Sequence, residues 1–291
     1  METIKKTWNN FRDTLGVFKI ASTYMLSNII KYPEAERYRI NSDTYVRLVS
    51  NPENAIGNIF IIQGGLKHTD TNSYYIKTSL MFMSRNVRVF LFEKHTPVAN
   101  LEISHDIAKC VDYVKEHFDG PICLIGYSMG GILLWNYLGL GYDQADLYVP
   151  LCCPLDMYNF YETIDNNAVF RYIKRTGYKH FDVISDEQLL EKSGTTYEKH
   201  KQCMDNFIPQ LNRHRKKWFH KTIYVVSSDD PITKNFEEER KMLKRRPLTY
   251  VVQNGWHCCL DSILLGNIIT CNYLKERSIG NNPKIEDIKY F

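Results

Sequence analysis

The chain has 291 residues, 44% of them hydrophobic and 24% charged, with 37 Lys and Arg against 33 Asp and Glu. Collagen is excluded, because 15 Gly and 10 Pro show no period, and wholesale disorder is excluded by 13% aromatic residues. A formal charge of +4 is too mild to imply a nucleic-acid partner, and the length suits one large domain or two small ones.

Residues 1–35 carry a rough amphipathic helical pattern, with Leu15, Phe18, Ile20 and Ile29 among its apolar positions. They read as an N-terminal helical segment ahead of a main domain at 36–291. The opening Met1–Trp8 has no apolar h-region and no cleavage site. No run reaches the roughly 18 apolar residues of a spanning helix, so a cytoplasmic location is expected. The eight cysteines contain two doublets, Cys152-Cys153 and Cys258-Cys259, and no C-x-x-C. That pattern favours small buried side chains over a disulfide framework or a zinc site.

Around Asn41-Ser42-Asp43 the partial alternation from Tyr38 to Val49 predicts a β-hairpin. Next come Asn58–Ile62 and Val87–Phe92, short runs apolar on both faces, as buried parallel strands require. A helical pattern at Ser73–Met83 separates them. Ile107, Val111, Val114 and Phe118 mark one buried helix face. Strand Ile122–Ile125 follows, then helix Gly131–Leu138 and strand Leu147–Leu151. The rhythm stops at residue 155 and resumes with strand Thr222–Val226, a helix near Glu237–Leu243, strand Leu248–Val252 and a helix from Asp261 to about Tyr273. Such an order predicts an α/β fold, a mainly parallel sheet with helices on both faces. The interruption at 155–218 is expected to be a helical cap over the sheet's C-terminal edge. Ser278–Phe291 reads as a surface tail.

Gly126-Tyr127-Ser128-Met129-Gly130 fits the G-x-S-x-G nucleophile elbow, and it lies between a strand and a helix as that turn requires. A serine hydroxyl needs a base to take its proton, and in this fold class the acid and then the histidine follow the serine along the chain. Ser228-Asp229-Asp230-Pro231 follows one late strand, and Gly255-Trp256-His257 follows the next. Ser128, Asp230 and His257 therefore appear in the required order, each at a strand's C-terminal end, where ligand groups collect in open α/β sheets. Asp230 is preferred as the acid because Pro231-Ile232 leaves it at a bend. Asp229 is the alternative acid, and Asp156 a third candidate with helix N-capping as its ordinary role. An oxyanion would need two backbone N–H donors. Met129 supplies one candidate, and Gly65 or Leu66, in the loop Gln63–Leu66, the other.

The stretch Gly126–Gly139 (GYSMGGILLWNYLG) resembles the elbow and helix of the AB hydrolase 4 family within the α/β-hydrolase superfamily. Tyr74-Tyr75-Ile76, the Asp-Asp-Pro at 229–231 and Gly255-Trp256-His257 resemble further motifs of that family. The resemblance spans roughly residues 40–275 and implies Ser128, Asp230 and His257 as a triad acting on lipid-like or alcohol esters. The sequence departs from the family at Gln63-Gly64-Gly65, at Trp256 and at Glu93-Lys94-His95. A serine ester hydrolase is the reading this supports, with an acyltransferase or an inactive ligand-binding module on the same fold as alternatives.

No nucleotide cofactor and no metal are expected, since no G-x-G-x-x-G follows a strand and neither a P-loop nor H-E-x-x-H occurs. A small-molecule ester is the expected partner, without nucleic acid. The basic and aromatic run Arg213–Phe219 could touch an anionic membrane surface; a solvated helix face is its commoner use. Oligomeric state is not legible.

Overall fold

A computed structural model describes residues 36–64, 86–96, 103–156, 185–192 and 194–288. The expected N-terminal helix at 1–35 and the helix at Ser73–Met83 lie outside these residues.

The strands are β1 (Glu36–Arg39), β2 (Thr44–Ser50), β3 (Asn58–Ile62), β4 (Arg88–Lys94), β5 (Ile122–Tyr127), β6 (Leu147–Leu151), β7 (Ile223–Ser227) and β8 (Leu248–Val252). They form one sheet in the order β1-β2-β4-β3-β5-β6-β7-β8. The first two pair antiparallel as the predicted hairpin. Its turn is held by Asn41, whose side-chain oxygen accepts the N–H groups of Asp43 and Thr44. β2 pairs antiparallel with β4, and all later pairings are parallel.

Burial on both faces explains why the central strands read as continuous apolar runs. Phe60, Ile62 and Leu124 join the core on one face. Ile59, Ile61, Cys123 and Ile125 join the core on the other. The first face is covered by α1 (Ser104–His117), α2 (Met129–Gly139) and α4 (Tyr197–Arg213), the second by α7 (Leu260–Ser278). Every residue of α2 is buried, which accounts for a helix that is apolar all round. Its one polar side chain in mid-helix, Asn136, donates to Ser104 Oγ, which in turn donates to the Leu133 carbonyl. The remaining helices are α3 (Asp186–Lys192), α5 (Arg215–Trp218) and α6 (Phe236–Lys241).

Two expectations change. The later part of the expected cap, residues 197–218, belongs to the helical layer beside the sheet. Phe207 and Leu211 of α4 are buried in the same core as α2, and Trp218 packs edge-on against Trp135. Residues 157–184 lie outside the described residues. Nor is the C-terminal stretch all surface. Ile285 and Ile288 are buried in the core beneath α7, because two apolar side chains spaced by three return one face of a short 3-10 turn to the sheet. Among the described residues no helix is long and apolar enough to cross a membrane.

Candidate active site

β5 ends at Tyr127 and α2 begins at Met129, so Ser128 alone makes the turn. Its φ of 50° and ψ of −116° lie in a region that L-residues rarely adopt, at a cost of about 1–3 kcal/mol. Hydrogen bonds on both sides hold it there. Its N–H donates to the Leu151 carbonyl at 2.9 Å, and its carbonyl accepts from Gly131 and Ile132. The flanking glycines answer to close approach. A Cβ on Gly126 would press on the Gly130 carbonyl, and one on Gly130 on the carbonyl oxygens of Ile62 and Gln63, all nearer than 3.0 Å. A Cβ on Gly131 would meet Cys153 Sγ at 2.5 Å. Only a chain without side chains at these positions lets α2 start against β3 and lifts the Ser128 hydroxyl to the edge.

His257 stands in the loop after β8. Its Nε2 lies 2.8 Å from Ser128 Oγ and its Nδ1 lies 2.8 Å from Asp230 Oδ2. Asp230 is fully buried in the turn after β7, where its other oxygen accepts the Ile232 N–H at 2.8 Å. That bond is the work of the Pro231-Ile232 bend. Asp229 is half-buried, with its own N–H donated to the Gly255 carbonyl, so Asp230 is the neighbour that meets the imidazole. Asp156 follows β6, partly exposed.

Electrostatics favour a charged or proton-accepting imidazole at this position. Burial pushes the His257 pKa down, but the Asp230 charge and hydrogen bond push it up by more, so the balance lies above the ordinary 6.5. The chain Ser128 Oγ, His257, Asp230 is thus an arrangement in which a hydroxyl proton can pass to Nε2 while a carboxylate fixes the tautomer with the proton on Nδ1. Met129 N–H opens the helix beside Ser128, and among the described residues no protein acceptor takes it. The second expected donor, Gly65 or Leu66, lies outside the described residues; Gln63 before it is buried.

A layer of polar and sulfur atoms beneath the imidazole was not foreseen. Cys152 Sγ lies 3.5 Å from Ser227 Oγ and 3.4 Å from Ser262 Oγ, and Ser262 Oγ donates to the Cys259 carbonyl. Cys258 Sγ is 3.9 Å from His257 Nε2. Burial, and then the contact with Cys152, pushes the Cys258 thiol far up, so it packs as a neutral group beside the imidazole. Gly255 is tied to this layer, since a Cβ there would come 3.0 Å from both Cys259 Sγ and Ser227 Oγ. The signal in the sequence was the pair of cysteine doublets, each at a chain reversal beside β6 or α7. All eight cysteines are free thiols. Among the described residues no group of three or more His, Cys, Asp or Glu is placed to hold a metal ion.

No protein-family model and no curated protein sequence matches the chain. Solved structures do. An esterase from Pyrobaculum calidifontis aligns over 92% of both chains at a TM-score of 0.56 and 13% identity. Carboxyl esterase 2 from the mycorrhizal fungus Tuber melanosporum aligns over 84% of both chains at 0.56 and 14% identity. Est1E from Butyrivibrio proteoclasticus aligns over 86% of this chain and all of its own at 0.57 and 14% identity. With its strand order, single antiparallel edge and helices on both faces, the chain has the α/β-hydrolase fold.

Proposed function

We propose that the protein is a serine hydrolase that cleaves carboxylic esters through an acyl-enzyme on Ser128. One observation carries the reading: the unbroken hydrogen-bond chain from Ser128 Oγ through His257 to the buried Asp230, with Ser128 held at positive φ. The esterase activity named for two neighbours of the same fold agrees with it, as does the elbow's resemblance to the AB hydrolase 4 family.

In this mechanism Ser128 Oγ forms a bond to the ester carbonyl carbon, and its proton passes to His257 Nε2. Asp230 stabilises the imidazolium that results and keeps the ring oriented. The negative charge that develops on the carbonyl oxygen is met by the Met129 N–H and by a donor from the Gly65–Leu66 loop. The imidazolium gives its proton to the departing alkoxide as the ester C–O bond breaks, leaving the acyl-enzyme. Water then adds to the acyl carbon while its proton goes to Nε2. Collapse returns that proton to Ser128 Oγ and releases the carboxylic acid.

The substrate class within this reading is a lipid-like or medium-chain ester. Hydrolysis of p-nitrophenyl esters by wild type and by Ser128→Ala tests the assignment. Loss of turnover in the variant supports it, and retained turnover refutes it. Product analysis with added alcohol separates hydrolysis from acyl transfer: free acid as the main product supports a hydrolase, and a new ester in its place supports the transferase.

A further inference from the structure

Two cationic turns far apart in sequence meet at the edge of the sheet opposite Ser128. One is the end of α4 with α5, carrying Arg213, Arg215, Lys216 and Lys217; it leads into β7. The other, Lys244-Arg245-Arg246, leads into β8. Asn212 joins them, donating to the Met242 carbonyl at 3.1 Å and accepting the Lys244 N–H at 2.6 Å. The Arg245 guanidinium lies over the Phe219 ring, 5.4 Å from its centroid.

The acidic side chains beside this surface are paired: Asp143 with Lys221, Glu237 with Arg240 and Glu238 with Lys241. Among the described residues, none of Arg213, Lys216, Lys217, Lys244, Arg245 and Arg246 forms an ion pair. His214 reports the resulting positive field: burial lowers its pKa first, and Lys217 and Arg213 lower it further. Met242 stands 44% exposed between Lys241 and the second turn.

We propose that this face docks on an anionic lipid bilayer. A cluster of lysines and arginines is attracted to acidic headgroups. Met242 and the half-buried Phe219 supply the apolar atoms that sit between headgroups and that a bare polyanion would leave unmatched, while the cationic stems lie along them. The face stands at the N-terminal ends of β7 and β8, and Ser128, Asp230 and His257 stand at C-terminal ends. Five-residue strands put about 17 Å between the two edges. Docking therefore leaves the hydroxyl facing away from the lipid and open to the aqueous side. This surface is independent of the proposed hydrolysis.

Co-sedimentation of the full chain with phosphatidylcholine vesicles, with and without phosphatidylserine, tests it. Binding to the phosphatidylserine vesicles at low salt is expected, with release near about 1 M salt, where charge is screened beyond about 3 Å. Arg213→Glu with Lys216→Glu, and separately Lys244→Glu with Arg246→Glu, should each lower the vesicle partition at least about tenfold. These four side chains are exposed, and unchanged circular-dichroism melts check that the variants fold. Ser128→Ala should bind vesicles as wild type does. Absence of binding at low salt, equal binding to pure phosphatidylcholine, or indifference to both charge-reversed pairs overturns the proposal. So does binding to duplex DNA that exceeds binding to the vesicles.

Discussion

Two histidines among the described residues lie 2.8 Å from a carboxylate that is almost wholly buried, and their surroundings differ. His257 touches Asp230 through Nδ1 and Ser128 through Nε2. His95 touches Glu93 through Nε2. The Glu93 charge is shared with Arg37 at 2.6 Å and Arg47 at 2.7 Å, and Arg37 also contacts the imidazole. Its His partner is 47% exposed, against 7% for His257. Glu93 is thus spent on two guanidinium groups that knit β1 and β2 to β4. Among the described residues no lysine or arginine pairs with Asp230, so its charge acts on one imidazole, and that imidazole has a hydroxyl on its other nitrogen. A histidine beside a buried carboxylate is therefore a weak functional signal; what the second nitrogen meets decides its use.

Removing the hydroxyl tests the difference most severely. Ser128→Ala should lose on the order of 10⁶ in kcat, the scale seen when a triad serine is removed. A steady-state ester assay reads this, and more than a few per cent of residual activity would break the account. Next is the pair of carboxylates. Asp230→Asn should cost about 10⁴ in kcat, because the amide favours the wrong imidazole tautomer. Asp229→Asn should leave kcat unchanged. Glu93→Gln should leave turnover unchanged and lower stability by about 1–3 kcal/mol, since both arginines are partly exposed. Parallel kinetics and urea titrations check this, and an equal loss of turnover in the Asp230 and Glu93 variants would erase the distinction.

The pH profile gives a smaller effect with a definite sign. In the proposed mechanism neutral His257 is the base, and its pKa lies above 6.5 because Asp230 outweighs burial. The acid limb of kcat/KM should therefore fall above 6.5, with activity lost as pH drops through it. In Asp230→Asn the residual activity should show that limb moved to lower pH. The same shift stabilises the fold below the unfolded-state value near 6.5, and that contribution disappears as pH rises through the folded-state value. The smallest effect concerns the acyl chain. In an apolar acyl pocket each added methylene should raise kcat/KM about fourfold over the first carbons, then level off. A series of p-nitrophenyl esters shows it, and a fall from acetate upward would replace the lipid-like ester by a small one.

Much of this was legible because the buried parallel strands announce themselves. Runs such as Ile59-Phe60-Ile61-Ile62 have no polar face, and the elbow glycines occur where backbone meets backbone. Chain order brought Ser128, Asp230 and His257 to one edge, and the structure brings them to hydrogen-bond distance. At the Pro231 bend it is Asp230, not Asp229, that lies against the imidazole. What escaped were features that depend on three-dimensional neighbours. The segment holding α4 looks polar in sequence, yet Phe207 and Leu211 complete the core over α2. Ile285 and Ile288 are two isolated apolar residues in a Gly-, Asn- and Pro-containing stretch, and only α7 above them makes them core. Cys152 follows β6, Cys258 lies in the loop after β8 and Ser262 in the first turn of α7, and they form one layer only after folding. Phe160, Tyr161, Phe170 and Tyr172, aromatic positions that the sequence offers as an acyl-pocket lining, lie outside the described residues.

The central claim is that Ser128 is a nucleophile activated by His257 and Asp230. It is tested most directly by treating the folded protein with a fluorophosphonate and locating the adduct by peptide mass mapping. The account predicts a single adduct on Ser128, absent from Ser128→Ala and formed much more slowly in Asp230→Asn. Failure to label, or an adduct at another residue with Ser128 unmodified, would contradict it.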